Sequence, residues 1–434
     1  MSCTKKVHEK TTPAFPSSLE LFTVPPTNVA FVSAGYKNVL PLNPVSGDPY
    51  TFRVYSDNSW LDLSKTYIQT EFVIEKKNKD DAWVRIEATD NNVAPVQLIG
   101  LTLYSQLRVS FNGTDIYDSG TLYPYRAYFG TELSCSDSVK ATELGVAGYA
   151  IDNAFNDATD KGFIQRKRML KDGKCTVLAR LDFDFANQPL LLLNDVDVVF
   201  TLYRNNDKFC LQSIGGVADL RIRIESIKLL VNAVELQPSL NVTFFKKLED
   251  TPAAYALRKT ELRAFMINSG RMEFTQNLFT SIVPRRVVFA LVAQNAFYGD
   301  VGQNPFNFKG YGLREFEITA GGRRFPYEKY KMNFDQGDAA RPYLDLFHAL
   351  GQHFNSANCG ITFSKFKEGW TIFVVDLTAS QDETCGFELV QNGSTDIKLE
   401  FATAVPEGGL ELVVMAEYDQ VMSIDNHRRI KFEN

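Results

Sequence analysis

The chain has 434 residues, 44% of them hydrophobic and 23% charged. That is ordinary globular composition at a length beyond the roughly 250–300 residues where one core stops growing, so two domains with a core each are expected and long-range disorder is excluded. With 46 Lys and Arg scattered among 52 Asp and Glu, the net charge of −6 excludes a global field able to grip a nucleic-acid backbone.

In chain order, residues 1–46 carry Pro13, Pro16, Pro25, Pro26, Pro41 and Pro44 among small polar neighbours, which predicts an extended arm and no regular element. From residue 47 a two-residue alternation sets in. Ile68, Thr70, Phe72 and Ile74 share one face of Thr66–Glu75, with Gln69, Glu71 and Glu75 on the other. The same period marks strands at Leu107/Val109/Phe111, Leu181/Phe183/Phe185, Val196/Val198/Phe200/Leu202 and Ile222/Ile224, giving a first β domain over 47–237. Pro238 and Pro252 bracket a linker, 238–255, with a short helix at Ser239–Asp250. A second β domain, 256–425, contains a continuous apolar strand at Val287–Val292, then Phe316 and Ile318 opposed by Glu315 and Glu317. A helix over Arg341–Phe354 places Leu344, Phe347, Leu350 and Phe354 on its apolar face. Strands at Ile397/Leu399/Phe401 and Leu410–Tyr418 precede a basic tail, 426–434. The 33 Phe and 18 Tyr suit pleated, half-buried surfaces, and the pattern reads as all-β with few short helices: two antiparallel sandwiches in tandem.

An internal echo supports duplication. LRVSF runs into an Asn-Gly turn followed by TLYPYRAYF, and LREFEIT runs into Gly321-Gly322 followed by RRFPYEKYKMNF. Each tract is succeeded by an irregular stretch and two or three strong strands.

Signals for chemistry are poor. No apolar run reaches the ~20 residues that span a bilayer, and the N-terminal MSCTKKVHEKTTPAF lacks the apolar centre of a signal peptide. Cys3, Cys135, Cys175, Cys210, Cys359 and Cys385 show no paired spacing, which suits reduced thiols. His348 and His353, with Cys359 downstream, have the wrong spacing for one helix face and too few partners for zinc, so they read as structural. Asp182/Asp184 and Glu315/Glu317 resemble glycosidase acids in type, but alternation puts both pairs on outward, solvated faces. There is no G-x-S-x-G elbow, and the glycines at 299, 302, 310 and 312 form no phosphate cradle. Sequons at Asn112, Asn241 and Asn392 read as turns. Arg166, Lys167, Arg168, Lys171 and Lys174 read as solvated loop charges, with a nuclear-import signal or DNA-facing patch as the alternative. No catalytic, cofactor-binding or metal residue is expected, and the chain is not expected to be an enzyme.

The tract Asn91–Gly113 (NNVAPVQLIGLTLYSQLRVSFNG), with TLYPYRAYF, SLELFTVPPTN, WLDLSKTYIQTEF, LLLNDVDVVFTLYRNNDKFCL, RRVVFALVAQNAFYGD, NPFNFKGYG, GWTIFVVDLT and LELVVMAEYDQVMSIDNHRRI, resembles the major capsid proteins of Maverick/Polinton elements and the related adintoviruses. The resemblance covers nearly the whole chain. It implies a double jelly roll of two eight-stranded sandwiches, and a homotrimer of pseudo-hexagonal outline tiling an icosahedral shell around double-stranded DNA. Partners would be further copies of the chain and a single jelly-roll penton protein, with a packaging ATPase and maturation protease encoded alongside. The location would be the virion capsid, after synthesis in the host cytoplasm and assembly there or in the nucleus, without cofactor or membrane insertion.

Under that resemblance, Phe15, Leu21, Phe22 and Val24 are candidate inter-subunit arm residues, joined by the loops Ser136–Lys174 and Phe297–Tyr311. Lys5, Lys6 and Lys10, with His427, Arg428, Arg429 and Lys431, are candidates for non-specific contact with packaged DNA. The main alternative is a two-domain β-sandwich carbohydrate-binding module or adhesin, which requires secretion and a clustered acid or calcium rim. Within the capsid class, a virophage or adenovirus-like virus competes with an integrated element.

Overall fold

The computed structural model describes residues 7–433 except 13, 88, 91, 217, 218, 335 and 382–385. Cys3, Cys385, Lys5 and Lys6 lie outside the described residues.

The first half supplies eight principal strands: β1 Phe31–Val39, β2 Tyr50–Tyr55, β3 Trp60–Lys77, β4 Tyr104–Phe111, β5 Thr114–Asp118, β6 Lys174–Arg180, β7 Asp197–Arg204 and β8 Leu220–Leu236. One sheet has the order β1-β8-β3-β6, with the short strand Trp83–Arg85 at the far end of β3; the other has the order β2-β7-β4-β5. The second half supplies β9 Ala253–Ile267, β10 Glu273–Phe279, β11 Arg286–Ala293, β12 Leu313–Ala320, β13 Arg323–Phe325, β14 Ile372–Asp376, β15 Thr395–Phe401 and β16 Leu410–Ile424. Its sheets run β9-β16-β11-β14 and β10-β15-β12-β13. Adding eight to each label of the first pair of sheets reproduces the second. All of the pairings in these sheets are antiparallel.

The echoed tracts occupy equivalent places, the β4–β5 and β12–β13 hairpins. Each turns through two successive left-handed residues, Asn112 and Gly113 (φ 48° and 78°) and Gly321 and Gly322 (φ 54° and 79°). Asn and Gly tolerate that conformation, and its twist matches that of the flanking strands. Alternation along β15 is fully expressed, with Ile397, Leu399 and Phe401 inward and their neighbours half-exposed. The apolar run of β11 is buried on both faces because β16 and β14 flank it within a covered sheet.

Among the described residues, four helices of eight or more residues lie outside the sheets: α1 Tyr123–Ser134, α2 Lys161–Arg168, α3 Pro238–Asp250 and α4 Ala340–Ala349. TLYPYRAYF therefore becomes a helix, started by Pro124 in its first turn. Helix α4 stops five residues before the expected Phe354. Leu350 caps it, Gly351 turns left-handed at φ 64°, and Leu344 and Phe354 are exposed while Leu346 and Phe347 are buried.

Three further expectations change. The arm contains a regular element, since β1 pairs with β8 from residue 31 onward. The basic tail ends in a strand, Ile430–Glu433, paired with β16. Leu181–Phe185 is not a strand: β6 ends at Arg180, and a 3-10 turn at Asp184–Asn187 follows.

The buried apolar residues form one contiguous cluster in place of the two separate cores expected from length. Continuity comes from an aromatic seam. On α1, Tyr128 stacks on Phe306 with ring centres 4.3 Å apart, Tyr125 stacks on Phe297 at 5.4 Å, and Phe129 meets Phe308 at 5.3 Å. The loop 297–311 is thus a plug between the sandwiches.

Candidate assembly surface

The seam is fastened by buried ion pairs, each lying in the first sandwich and holding a group of the second. Arg126, in the middle of α1, pairs with Asp182 at 3.1 Å and Asp184 at 3.2 Å and donates to the hydroxyl of Thr260 on β9. Thr260 closes the circuit: its hydroxyl donates to Asp184 at 2.7 Å and its backbone N–H to the other carboxylate oxygen at 3.1 Å. Burial pushes the Asp184 carboxyl above its ordinary range, against the pull of Arg126. The expected outward, solvated position of Asp182/Asp184 holds only for Asp182, which is half-buried; Asp184 is fully enclosed.

A second lock centres on Arg166 and Asp152. Arg166 pairs with Asp152 and donates from Nε to the carbonyl of Pro95 at 2.9 Å, while Gln97 donates to the other Asp152 oxygen. Asn304, from the plug loop, donates to Gln97 at 2.9 Å and Gln212 at 3.1 Å. Burial outweighs the attraction of Arg166 and pushes Asp152 up to about 6. In a third lock, Lys140 reaches Glu132 at 2.7 Å and the carbonyl of Cys359 at 2.8 Å, and Gln352 donates to the carbonyl of Leu133 at 2.7 Å. The basic cluster is accordingly dispersed: Arg166 is buried, Lys174 pairs with Glu71 and Glu225, and only Arg168 and Lys171 stand fully exposed. The loops 136–174 and 297–311, expected at subunit contacts, meet each other within the chain.

The remaining candidates do not converge. Glu315 and Glu317 stay half-exposed and are paired with Arg314, Arg324 and Lys329. His348 and His353 stack at 3.7 Å on the surface, and no group of three metal-binding side chains occurs among the described residues. Cys135, Cys175, Cys210 and Cys359 are free thiols. Asn112 lies in the β4–β5 turn and Asn392 in a bridge to Ile282, but Asn241 sits on α3, where it accepts a hydrogen bond from the indole of Trp60 at 2.9 Å. Among the described residues no helix is long and apolar enough to cross a membrane.

One long uncovered apolar stretch lies between residues 15 and 36. Phe15, Leu21, Phe22 and Val24 are exposed, Phe22 by 96%, and the hydrogen bonds along this stretch include local turns such as Leu19 N–H to Pro16 and Ala30 N–H to Asn28. The exposed run continues through Val29, Phe31, Val32 and Tyr36. The basic ends do not act alike. Lys10, Arg429 and Lys431 are exposed. Arg428 is instead turned inward, donating to the carbonyl and side chain of Asn194 at 2.8 and 3.0 Å and lying over the Phe245 ring. No residue-level pattern in the sequence marked the three locks beyond one signal: an arginine inside the aromatic run Tyr-Pro-Tyr-Arg-Ala-Tyr-Phe, a charge that burial obliges to find partners.

No family model matches this sequence. Among solved structures, the fold is similar over 100% of this chain to a chain of the Sputnik virophage structure, 94% of which is covered, with a TM-score of 0.68 and 11% identity. The mavirus major capsid protein matches over 99% of this chain and 96% of its own, with a TM-score of 0.58 and 13% identity. A chain of the PBCV-1 virus capsid gives a TM-score of 0.56 at 11% identity, covering 95% of this chain and all of that one. Two sandwiches of one repeated eight-strand topology, with these neighbours, define a double jelly-roll protein. By sequence, the Caenorhabditis elegans protein F54H12.2, described as uncharacterized, is 30% identical over 377 residues, 85% of this chain and 89% of its own length. The chain belongs to the same family as that nematode protein.

Proposed function

We propose that this chain is a major capsid protein whose homotrimers form pseudo-hexagonal capsomers of an icosahedral shell around double-stranded DNA. The observation that carries the reading is the repeated sheet order of the two sandwiches, with buried ion pairs in the first holding groups of the second. Three such chains present six similar wedges, so a threefold object fits a site with six neighbours. The likeness in fold to the mavirus major capsid protein supports it. The exposed arm supplies apolar surface that a second copy can bury.

A relative of this kind in a nematode favours an integrated element of the Maverick/Polinton type over a free virus. On this reading a single jelly-roll penton protein fills the vertices, the protein resides in the virion, and its role is structural. Light scattering on the purified chain, followed by negative-stain imaging, tests it. Trimers with a hexagonal outline are expected; folded monomers of about 49 kDa at all concentrations overturn it.

A further inference from the structure

Within one chain, the sandwiches meet through a particular pairing of parts. The connection from β6 to β7, residues 181–196, lies along the outer edge of β9. Asp184 takes the outward N–H of Thr260, and the Tyr255 hydroxyl accepts from the N–H of Leu193 and donates to the carbonyl of Leu191. Phe185 packs on the Tyr255 ring at 4.9 Å. An otherwise open strand edge is thereby covered.

The same two parts exist a second time, and both carry exposed apolar side chains. Strand β1 holds in the first sandwich the place of β9: it pairs only with β8 among the described strands, and every residue but its last is exposed. The β14–β15 connection follows β14 in the second sandwich as 181–196 follows β6 in the first, and among its described residues Leu389 and Val390 are exposed, as is Phe387 beneath the Arg258 guanidinium. A neighbouring connection shows the same contrast. Between β5 and β6, Tyr125 and Tyr128 are buried in the seam; between β13 and β14, Tyr327 and Phe354 face solvent.

We infer that the β14–β15 connection of one copy, through Phe387, Leu389 and Val390, covers the free edge of β1 in the next copy, repeating between chains the contact that joins the sandwiches within each. This rests on the capsomer reading and specifies its interface. The contact is head-to-tail, with different surfaces on its two sides, and such contacts close into a ring when the rotation permits. Contacts within and between chains then alternate around six sandwiches, and each exposed apolar set is buried by the other.

Cysteine cross-linking tests the pairing. Cys3, Cys135 and Cys385 are first changed to serine. Val32→Cys or Tyr36→Cys is then placed in one preparation and Leu389→Cys in another, and the two are co-assembled with a short bis-thiol reagent. Covalent dimers are expected only when both preparations are present. The unmodified chain is followed in parallel by light scattering and by hydrogen exchange of the β1 amides. Trimers in which the outward-facing β1 amides, those not bonded to β8, exchange freely and no β1-to-389 cross-link forms overturn this interface while leaving the capsomer reading standing. Folded monomers at every concentration overturn both.

Discussion

The carboxylate of Asp184, in the first sandwich, accepts the main-chain N–H of Thr260, in the second, at 3.1 Å, and the same carboxylate neutralises Arg126. One side chain thus covers a strand edge and balances a buried cation. Asp184→Ala leaves Arg126 with Asp182 alone, and breaking a buried ion pair typically costs ~3–5 kcal/mol. We expect a loss of that size in urea unfolding, together with faster exchange of the Thr260 amide. A change below about 1 kcal/mol, the scale of an exposed pair, contradicts the role assigned to the circuit.

Asp152 gives a pH-dependent prediction. Its folded carboxyl is raised to about 6 from an ordinary 3.8, with burial as the main cause. Between those values the folded state binds the extra proton, so the stabilisation is complete below pH 3.8 and lost as pH rises through about 6. Asp152→Asn, which does not titrate, should therefore fall furthest below the natural protein near pH 4 and come closest to it at pH 7. Thermal melts of both proteins across that range check the sign; a gap that widens toward pH 7 refutes it.

Asn304 carries the plug loop into the first sandwich, and its amide donates to both Gln97 and Gln212. Asn304→Ala leaves those two buried acceptors short of a donor, at about 1–3 kcal/mol for unsatisfied buried groups. Hydrogen exchange should rise across 294–312 and in α1, while the β10–β15–β12 sheet stays protected.

The arm and the basic ends separate into two measurements. Deleting residues 1–24 should abolish trimer and shell formation, and unchanged assembly would remove the arm from the interface. Neutralising Lys5, Lys6, Lys10, Arg429 and Lys431 should reduce nucleic acid in particles without altering the melting temperature. Arg428→Ala should do the reverse, because Arg428 is engaged with Asn194 and Phe245.

The sandwich strands were legible because a covered sheet face leaves a two-residue period, as in Ile397, Leu399 and Phe401, and the paired hairpins were legible because left-handed turns demand Asn and Gly. Asp184 was misread for a related reason: Leu-Asp-Phe-Asp-Phe alternates like a strand, and only the burial of its acid by Arg126 and Thr260 distinguishes it. Periodicity reports on one element and its own sheet. The locks join residues such as Gln97 and Asn304, or Arg126 and Thr260, whose meeting depends on how the two sandwiches sit together. The expectation of two separate cores failed on the same ground, since the aromatic residues of α1 were filling the gap between sandwiches.

That aromatic seam also sets a timetable for synthesis. Tyr125 and Tyr128 leave the ribosome early, whereas Phe297, Phe306 and Phe308, which cover them, follow much later, an interval of roughly ten to thirty seconds at about 5–20 residues per second. Throughout it the nascent first sandwich carries a sticky, unfinished wall, and Arg428 secures it to the other half later still. Overproduction that outruns chaperone capacity should therefore fail through clumping of half-made chains, and slowed translation or lowered temperature should raise the yield of soluble protein.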